Sequence, residues 1–212
     1  MNGTQPLVFV HIPRTAGTSL VEGIGRLCRS PASFAPDHLP AAAADIRGGR
    51  YDFINGHFTY AKFVELCGAD YRFVTFVRHP VDRLLSDYAY STSDRHPGAD
   101  EIRTNYPNFV RYCAEPAFHD AAMRYLALPG ETPRQAADRM LDNYLCVGNV
   151  DTYADDYRRL LDAFEKGEAP QLRLNTVERA EAGHHVKEII ERSSARDMEL
   201  YAALCEVRRG AA

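Results

Sequence analysis

Residues 7–19 read LVFVHIPRTAGTS. The first six are a short, nearly continuous apolar run rich in β-branched residues, the pattern of a strand covered on both faces in a parallel sheet. Residues 13–19 are small and turn-prone, and Leu20, Ile24 and Leu27 then recur at helical spacing, so a helix begins near Thr18. Strand, glycine-bearing loop and helix in this order open an α/β sheet. Such a loop turns backbone N–H groups and the positive end of the helix dipole toward an anion. Gly17 permits close backbone approach, Thr18 and Ser19 add hydroxyls, and Arg14 adds a cation. The same residues also satisfy an ordinary strand-to-helix turn with a capping Thr or Ser. The loop alone leaves both readings open.

The rest of the chain extends the pattern. Residues 71–77 (YRFVTFV) form the clearest strand, followed by Arg78-His79-Pro80, with Pro80 where a first helical turn accepts proline. Val81, Leu84, Leu85 and Tyr88 give that helix an apolar stripe. Residues 51–54 form a second strand, ahead of Asn55-Gly56-His57-Phe58, and residues 60–67 a short helix. Residues 30–49, with their prolines, alanine run and Gly48-Gly49 pair, read as mostly irregular, and residues 91–107 as a polar loop. From Asn108 the chain is largely helical, with a break at 127–132 and helices at 133–145 and 152–165. A late strand follows at 172–175, then helices at 182–192 and 195–208. Alternating strands and helices indicate an α/β fold with a central parallel sheet and a helix-rich C-terminal half.

Composition narrows the classes. The chain has 212 residues, 45% hydrophobic and 25% charged, which suits a single domain over residues 1–212 without disulfide staples. A net charge of -4 gives no overall basic field of the kind that nucleic-acid binding uses. No apolar run is long enough to span a membrane. Cys28, Cys67, Cys113, Cys146 and Cys205 are dispersed, without C-x-x-C spacing, and no secretory signal precedes the first strand. The expectation is a cytoplasmic protein with reduced thiols. Arginine outnumbers lysine 22 to 3 and alanine is frequent, which points to a GC-rich bacterial genome.

The loop is not a nucleoside triphosphatase loop. That motif needs Lys directly before the hydroxyl residue, whereas Gly17 is followed by Thr18-Ser19. Metal-dependent phosphoryl transfer also needs an acid at the end of a buried strand, and the strand at 71–77 ends in Arg78. Arg78, at a strand C-terminus, and Ser86, about two turns into the next helix, can grip one phosphate, the Arg by charge-assisted bonds. Taken alone, each could equally be an ordinary surface residue.

Together, H-I-P-R-T-A-G-T-S (11–19) and R-H-P-V-D-R-L-L-S-D-Y (78–88) resemble the donor-binding pair of the carbohydrate sulfotransferases of heparan sulfate 2-O/6-O type. These enzymes use 3′-phosphoadenosine 5′-phosphosulfate (PAPS). Weaker likeness extends to Val147-Gly148-Asn149, to Asn175 with Arg179, and to residues 197–201. The resemblance implies a P-loop-like three-layer fold and no metal requirement. It implies that Arg14, Thr15, Ala16, Gly17, Thr18 and Ser19 hold the 5′-phosphosulfate, and that Arg78 and Ser86 hold the 3′-phosphate. It also implies a base near Gly56-His57-Phe58. A neutral imidazole can take the proton of an attacking hydroxyl, so His57 is the expected base, with Arg14 assisting catalysis. His11 competes with His57, and Asp37 and Glu65 are weaker candidates.

The expected activity is sulfuryl transfer from PAPS to a hydroxyl of a carbohydrate or glycoconjugate. Tyrosines of a peptide and small phenols stand as further acceptors. A small-molecule kinase on the same fold and a non-catalytic nucleotide-binding or scaffold protein are the alternatives. Arg103, Arg111 and Arg124 could meet an anionic acceptor, and Tyr51, Tyr60, Tyr88 and Tyr90 could stack on adenine or a sugar. Each of these could instead be solvated surface or core. Residues 178–181 read as a charged helix entry without a role.

Overall fold

A computed structural model of the chain describes residues 5–164 and 183–210. Five parallel strands form one sheet: β1 (Leu7–Val10), β2 (Pro31–Phe34), β3 (Phe53–Gly56), β4 (Arg72–Val77) and β5 (Tyr144–Asn149). Their spatial order is β2-β3-β1-β4-β5. The central strand β1 pairs with β3 through Leu7 opposite Phe53 to Val10 opposite Gly56, and with β4 through Leu7 opposite Arg72 to Phe9 opposite Val74.

Successive residues of a strand face opposite sides of the sheet, and two cores result. Val8, Val10, Ile54 and Phe73 point to one face. There they meet α2 (Leu39–Arg47), α3 (Tyr60–Cys67), α7 (Ala121–Leu126), α8 (Pro133–Asn143) and α11 (Ala195–Gly210). Leu7, Phe9, Phe53, Val74 and Phe76 point to the other, where α1 (Gly17–Gly25) and α9 (Tyr153–Phe164) cover them. This is the expected three-layer α/β arrangement. A smaller apolar cluster, Val81, Leu84, Tyr112, Cys113 and Ile190, joins α4 (Pro80–Ser91), α6 (Phe109–Cys113) and α10 (His184–Ser193).

Four elements depart from the sequence expectation. The stretch 30–49 carries β2 and α2. Pro31 is admissible because it opens an edge strand, and Pro40 sits in the first turn of α2 ahead of Ala41 to Ala44, strong helix formers. The polar stretch 91–107 contains α5 (Ala99–Asn105). The helix expected at 133–145 ends at Asn143, and β5 starts at the next residue with no intervening turn signal. The N-terminus of that helix is well marked, with a capping box between Thr132 and Gln135 ahead of Pro133. The strand candidate at 172–175, the positions Asn175 and Arg179, and the segment 178–181 lie outside the described residues.

Candidate active site

Parallel strands deliver the residues that follow them to one edge of the sheet, where open α/β sheets bind ligands. Here β3, β1 and β4 are adjacent, and they deliver His57, the loop 11–16 and Arg78 respectively. Gly56 precedes His57 at a crowded point: a Cβ there would stand 2.1 Å from the carbonyl oxygen of Phe34 on β2.

The loop between β1 and α1 has two non-glycine residues in the left-handed region, Arg14 at φ 69° and Ala16 at φ 61°. Each such conformation costs about 1–2 kcal/mol. Alternating backbone hand gathers successive N–H groups into a concave nest that suits an anion. The conformation is held from both sides. Thr15 is buried and its hydroxyl donates to the carbonyl of Ile12 at 2.9 Å, while the N–H of His11 donates to the carbonyl of Gly56 at 3.0 Å. Thr15 thus serves the loop with its side chain and can offer a ligand only its backbone. Ser19 is buried as well, whereas Thr18 is exposed.

Gly17 is required by space. A Cβ built there would fall 1.8 Å from His11 Nε2, because the imidazole lies against the backbone of the helix start. The same ring stacks on Phe9 at 5.0 Å and meets the ring of exposed His57 at 4.3 Å. Burial first, then the neighbouring His57 and Arg14, push the pKa of His11 down to about 3. His11 is therefore neutral at physiological pH and holds its ring lone pair too weakly to be an effective base there. A pH dependence of stability follows. An unfolded histidine titrates near 6.5, so between about 6.5 and 3 the unfolded chain binds a proton that the folded chain excludes. Stability should fall as the pH drops through this window. His11→Phe should show a shallower acid slope in denaturant titrations from pH 7 to 4, and an unchanged slope would contradict the burial of a neutral His11.

His57 Nδ1 stands 2.8 Å from the carbonyl oxygen of His11. A carbonyl only accepts, so Nδ1 carries the proton and the neutral ring keeps its lone pair on Nε2. That is the tautomer a general base needs.

Arg14 reaches across to α4. Its Nε–H donates to Ser86 Oγ at 3.2 Å, and its guanidinium lies 4.4 Å from the centre of the Tyr90 ring. Burial lowers its pKa, while Asp87 and Tyr90 oppose that shift, and an arginine remains charged under either influence. Arg78 Nη1 donates to the carbonyl of Arg14 at 3.4 Å. His11, Pro13, Arg14, Ala16, Gly17, Thr18, His57 and Tyr90 line one open cleft. Arg78 and Ser86 border this set through Arg14.

The other candidates resolve differently. Arg103 pairs with Asp94 and Asp100, and Arg124 donates to the carbonyls of Ala117 and His119. Glu65 pairs with Lys62 on the exposed side of α3, and Asp37 and Arg111 are exposed away from the cleft lining. Tyr51, Tyr60 and Tyr88 pack against Phe34, Phe73 and Phe109 respectively. Of the four tyrosines, Tyr90 lines the cleft. Asn149 at the end of β5 donates to the hydroxyl of Tyr201 at 2.8 Å. The carboxylate of Asp197 accepts from the N–H groups of Ala122 and Met123 and caps α7. These late segments hold β5 and α7 in place, a role the sequence did not reveal. Among the described residues no group of three or more His, Cys, Asp or Glu is placed to hold a metal ion, and no helix is long and apolar enough to cross a membrane.

A family model described as "Sulfotransferase family" matches residues 1–199. Among solved structures, a sulfotransferase from Alicyclobacillus acidocaldarius superposes with a TM-score of 0.53 at 18% identity, over 95% of this chain and 96% of that one. Mouse sulfotransferase SULT7A1 complexed with PAP aligns with a TM-score of 0.48 at 12% identity, over 92% of this chain and 66% of that one. No curated protein matches the chain.

Proposed function

The chain belongs to the sulfotransferase family, and from that premise we propose that it moves a sulfuryl group from PAPS to a hydroxyl of a carbohydrate or glycoconjugate. One observation carries the reading: an anion nest, Arg14 and a histidine in the Nδ1–H tautomer converge on one cleft, and Arg78 borders it through the carbonyl of Arg14. The residues present fit the donor. Its phosphosulfate end suits the nest of residues 14–18 with the Arg14 guanidinium beside it, and its 3′-phosphate suits Arg78 and Ser86. The donor supplies an activated sulfur with a nucleotide leaving group.

The chain's own residues supply the rest. His57 Nε2 takes the acceptor's hydroxyl proton as the oxygen–sulfur bond forms and the bond from sulfur to the nucleotide oxygen breaks. Arg14 and the N–H groups at the start of α1 stabilise the charge that gathers on that leaving oxygen, positioned before the reaction begins. Arg78 and Ser86 fix the register of the nucleotide, which is a contribution from orientation. No step calls on a metal.

Calorimetry with PAP (3′-phosphoadenosine 5′-phosphate), adenosine 5′-phosphate and ATP with magnesium tests the donor. PAP should bind far more tightly than adenosine 5′-phosphate, and EDTA should make no difference. A charge-assisted hydrogen bond is worth about 1.5–3 kcal/mol, so Arg78→Ala should weaken PAP by about tenfold or more. Equal affinity for the two monophosphorylated and bisphosphorylated nucleotides would sink the reading, and preferential binding of ATP with magnesium would favour a kinase.

No disulfide joins any of the five cysteines. Burial pushes the thiol of Cys113 up to about 12 and raises that of Cys67, which keeps both protonated and inert. A cytoplasmic location accords with this. Thiol titration of protein denatured without reductant should count all five, and a shortfall of two in fresh material would contradict it.

A further inference from the structure

Arg14 carries much of the proposed chemistry, yet arginine is a long side chain with much rotamer entropy to lose. Something must hold it. Ser86 and Tyr90 are one helical turn apart on α4, so both present to the same side, and both meet Arg14. Ser86 Oγ accepts from Nε at 3.2 Å, and the Tyr90 ring lies 4.4 Å from the guanidinium carbon. Tyr90 is itself held. Its carbonyl accepts from the N–H of Ser93 at 3.0 Å and from the Ser93 hydroxyl at 2.7 Å, and the His96 ring meets it edge-on at 5.5 Å.

We propose that Tyr90 is a positioning residue for this site: its ring face holds the Arg14 guanidinium over the anion loop, so that the cation is oriented before the donor arrives. The inference rests on the donor reading given above. A planar guanidinium can lie on an aromatic face while its Nε–H still points sideways to Ser86, and a compact ammonium has no such plane. The ring face, not the hydroxyl, is the active part.

Those two features define the test, a double-mutant cycle read as PAP affinity by calorimetry. Tyr90→Phe should bind PAP within about twofold of wild type. Tyr90→Leu should weaken binding by about three- to tenfold, the size of a partly desolvated cation–π contact. In the Arg14→Ala background the same Tyr90→Leu change should cost less than about twofold, because the cation that the ring holds is already gone. A ring that merely supported the fold would lower the melting temperature and weaken PAP equally in both backgrounds. Equal losses in the two backgrounds, or wild-type affinity in Tyr90→Leu, would overturn the proposal. If Tyr90→Leu folds poorly, Tyr90→Gln keeps a similar length without the ring and reads the same coupling. Wild-type protein that binds no PAP would instead overturn the donor reading, and the role of Tyr90 with it, so the two failures are distinct.

Discussion

Replacing His57 with alanine should lower kcat by about 10²–10⁴-fold, the usual contribution of a positioned base, and leave PAP affinity nearly unchanged. The imidazole is exposed at the mouth of the cleft, and its Nδ1–H is tied to the carbonyl of His11. On the proposed reading its free lone pair serves the acceptor and not the nucleotide. Arg14→Ala should behave differently, because the guanidinium faces both the bound donor and the developing charge, so affinity and turnover should fall together. The measurement is acceptor-stimulated PAP release over a panel of sugars and phenols, paired with calorimetry. Near wild-type turnover in His57→Ala, with loss of turnover in His11→Ala, would make His11 the base and overturn the assignment of His57. The environment of His11 argues against that outcome, since burial and its cationic and imidazole neighbours hold its pKa near 3.

Gly17→Ala should weaken PAP binding by about tenfold or more and lower the melting temperature. The added methyl would have to displace the His11 ring, which stands 1.8 Å from where the Cβ would go. Overpacking of this kind costs about 1–3 kcal/mol. Here the ring cannot retreat easily, because Phe9 stacks on it and the His57 ring meets it at a tilt. Gly25, at the other end of the same helix, is the control: nothing lies within 4 Å of a Cβ there. Gly25→Ala should leave PAP affinity intact and raise stability by up to about 1 kcal/mol, the gain from removing glycine's freedom in a helix. Matching behaviour of the two variants in calorimetry and thermal melts would show that the His11 ring does not rest on the loop.

Much of the fold was legible in the chain because the deciding signals are local. The apolar run ahead of Pro13, the run ending at Arg78 and the proline at position 80 mark β1, β4 and the start of α4 whatever surrounds them. What was lost lacked local punctuation. β5 follows α8 without a turn residue, and its burial does not alternate: Leu145, Cys146 and Val147 are half-buried in a row between buried Tyr144 and Gly148-Asn149. It is a strand because β4 pairs with it, from Phe73 opposite Tyr144 to Val77 opposite Asn149, residues far apart in the chain. β2 was obscured by a proline that only an edge strand tolerates, and α2 by the same residue type in its first turn.

The site divides along the same line. Residue types and their spacing nominated the loop of residues 14–19, Arg78 and Ser86 as an anion site, since an anion needs cations and N–H groups, and the family resemblance pointed to His57 as the base that a hydroxyl needs. Those are properties of side-chain chemistry, which travels with the sequence. The sequence reading already put His57 ahead of His11, but the physical contrast between them comes from the fold, because the proton affinity of an imidazole depends on what buries it and what it touches. The same holds for Tyr90 among four tyrosines: the ring that meets Arg14 is set by where α4 crosses the loop. Chemistry is encoded residue by residue, but desolvation, tautomer and contact are relations between distant residues, and only the packed chain decides them.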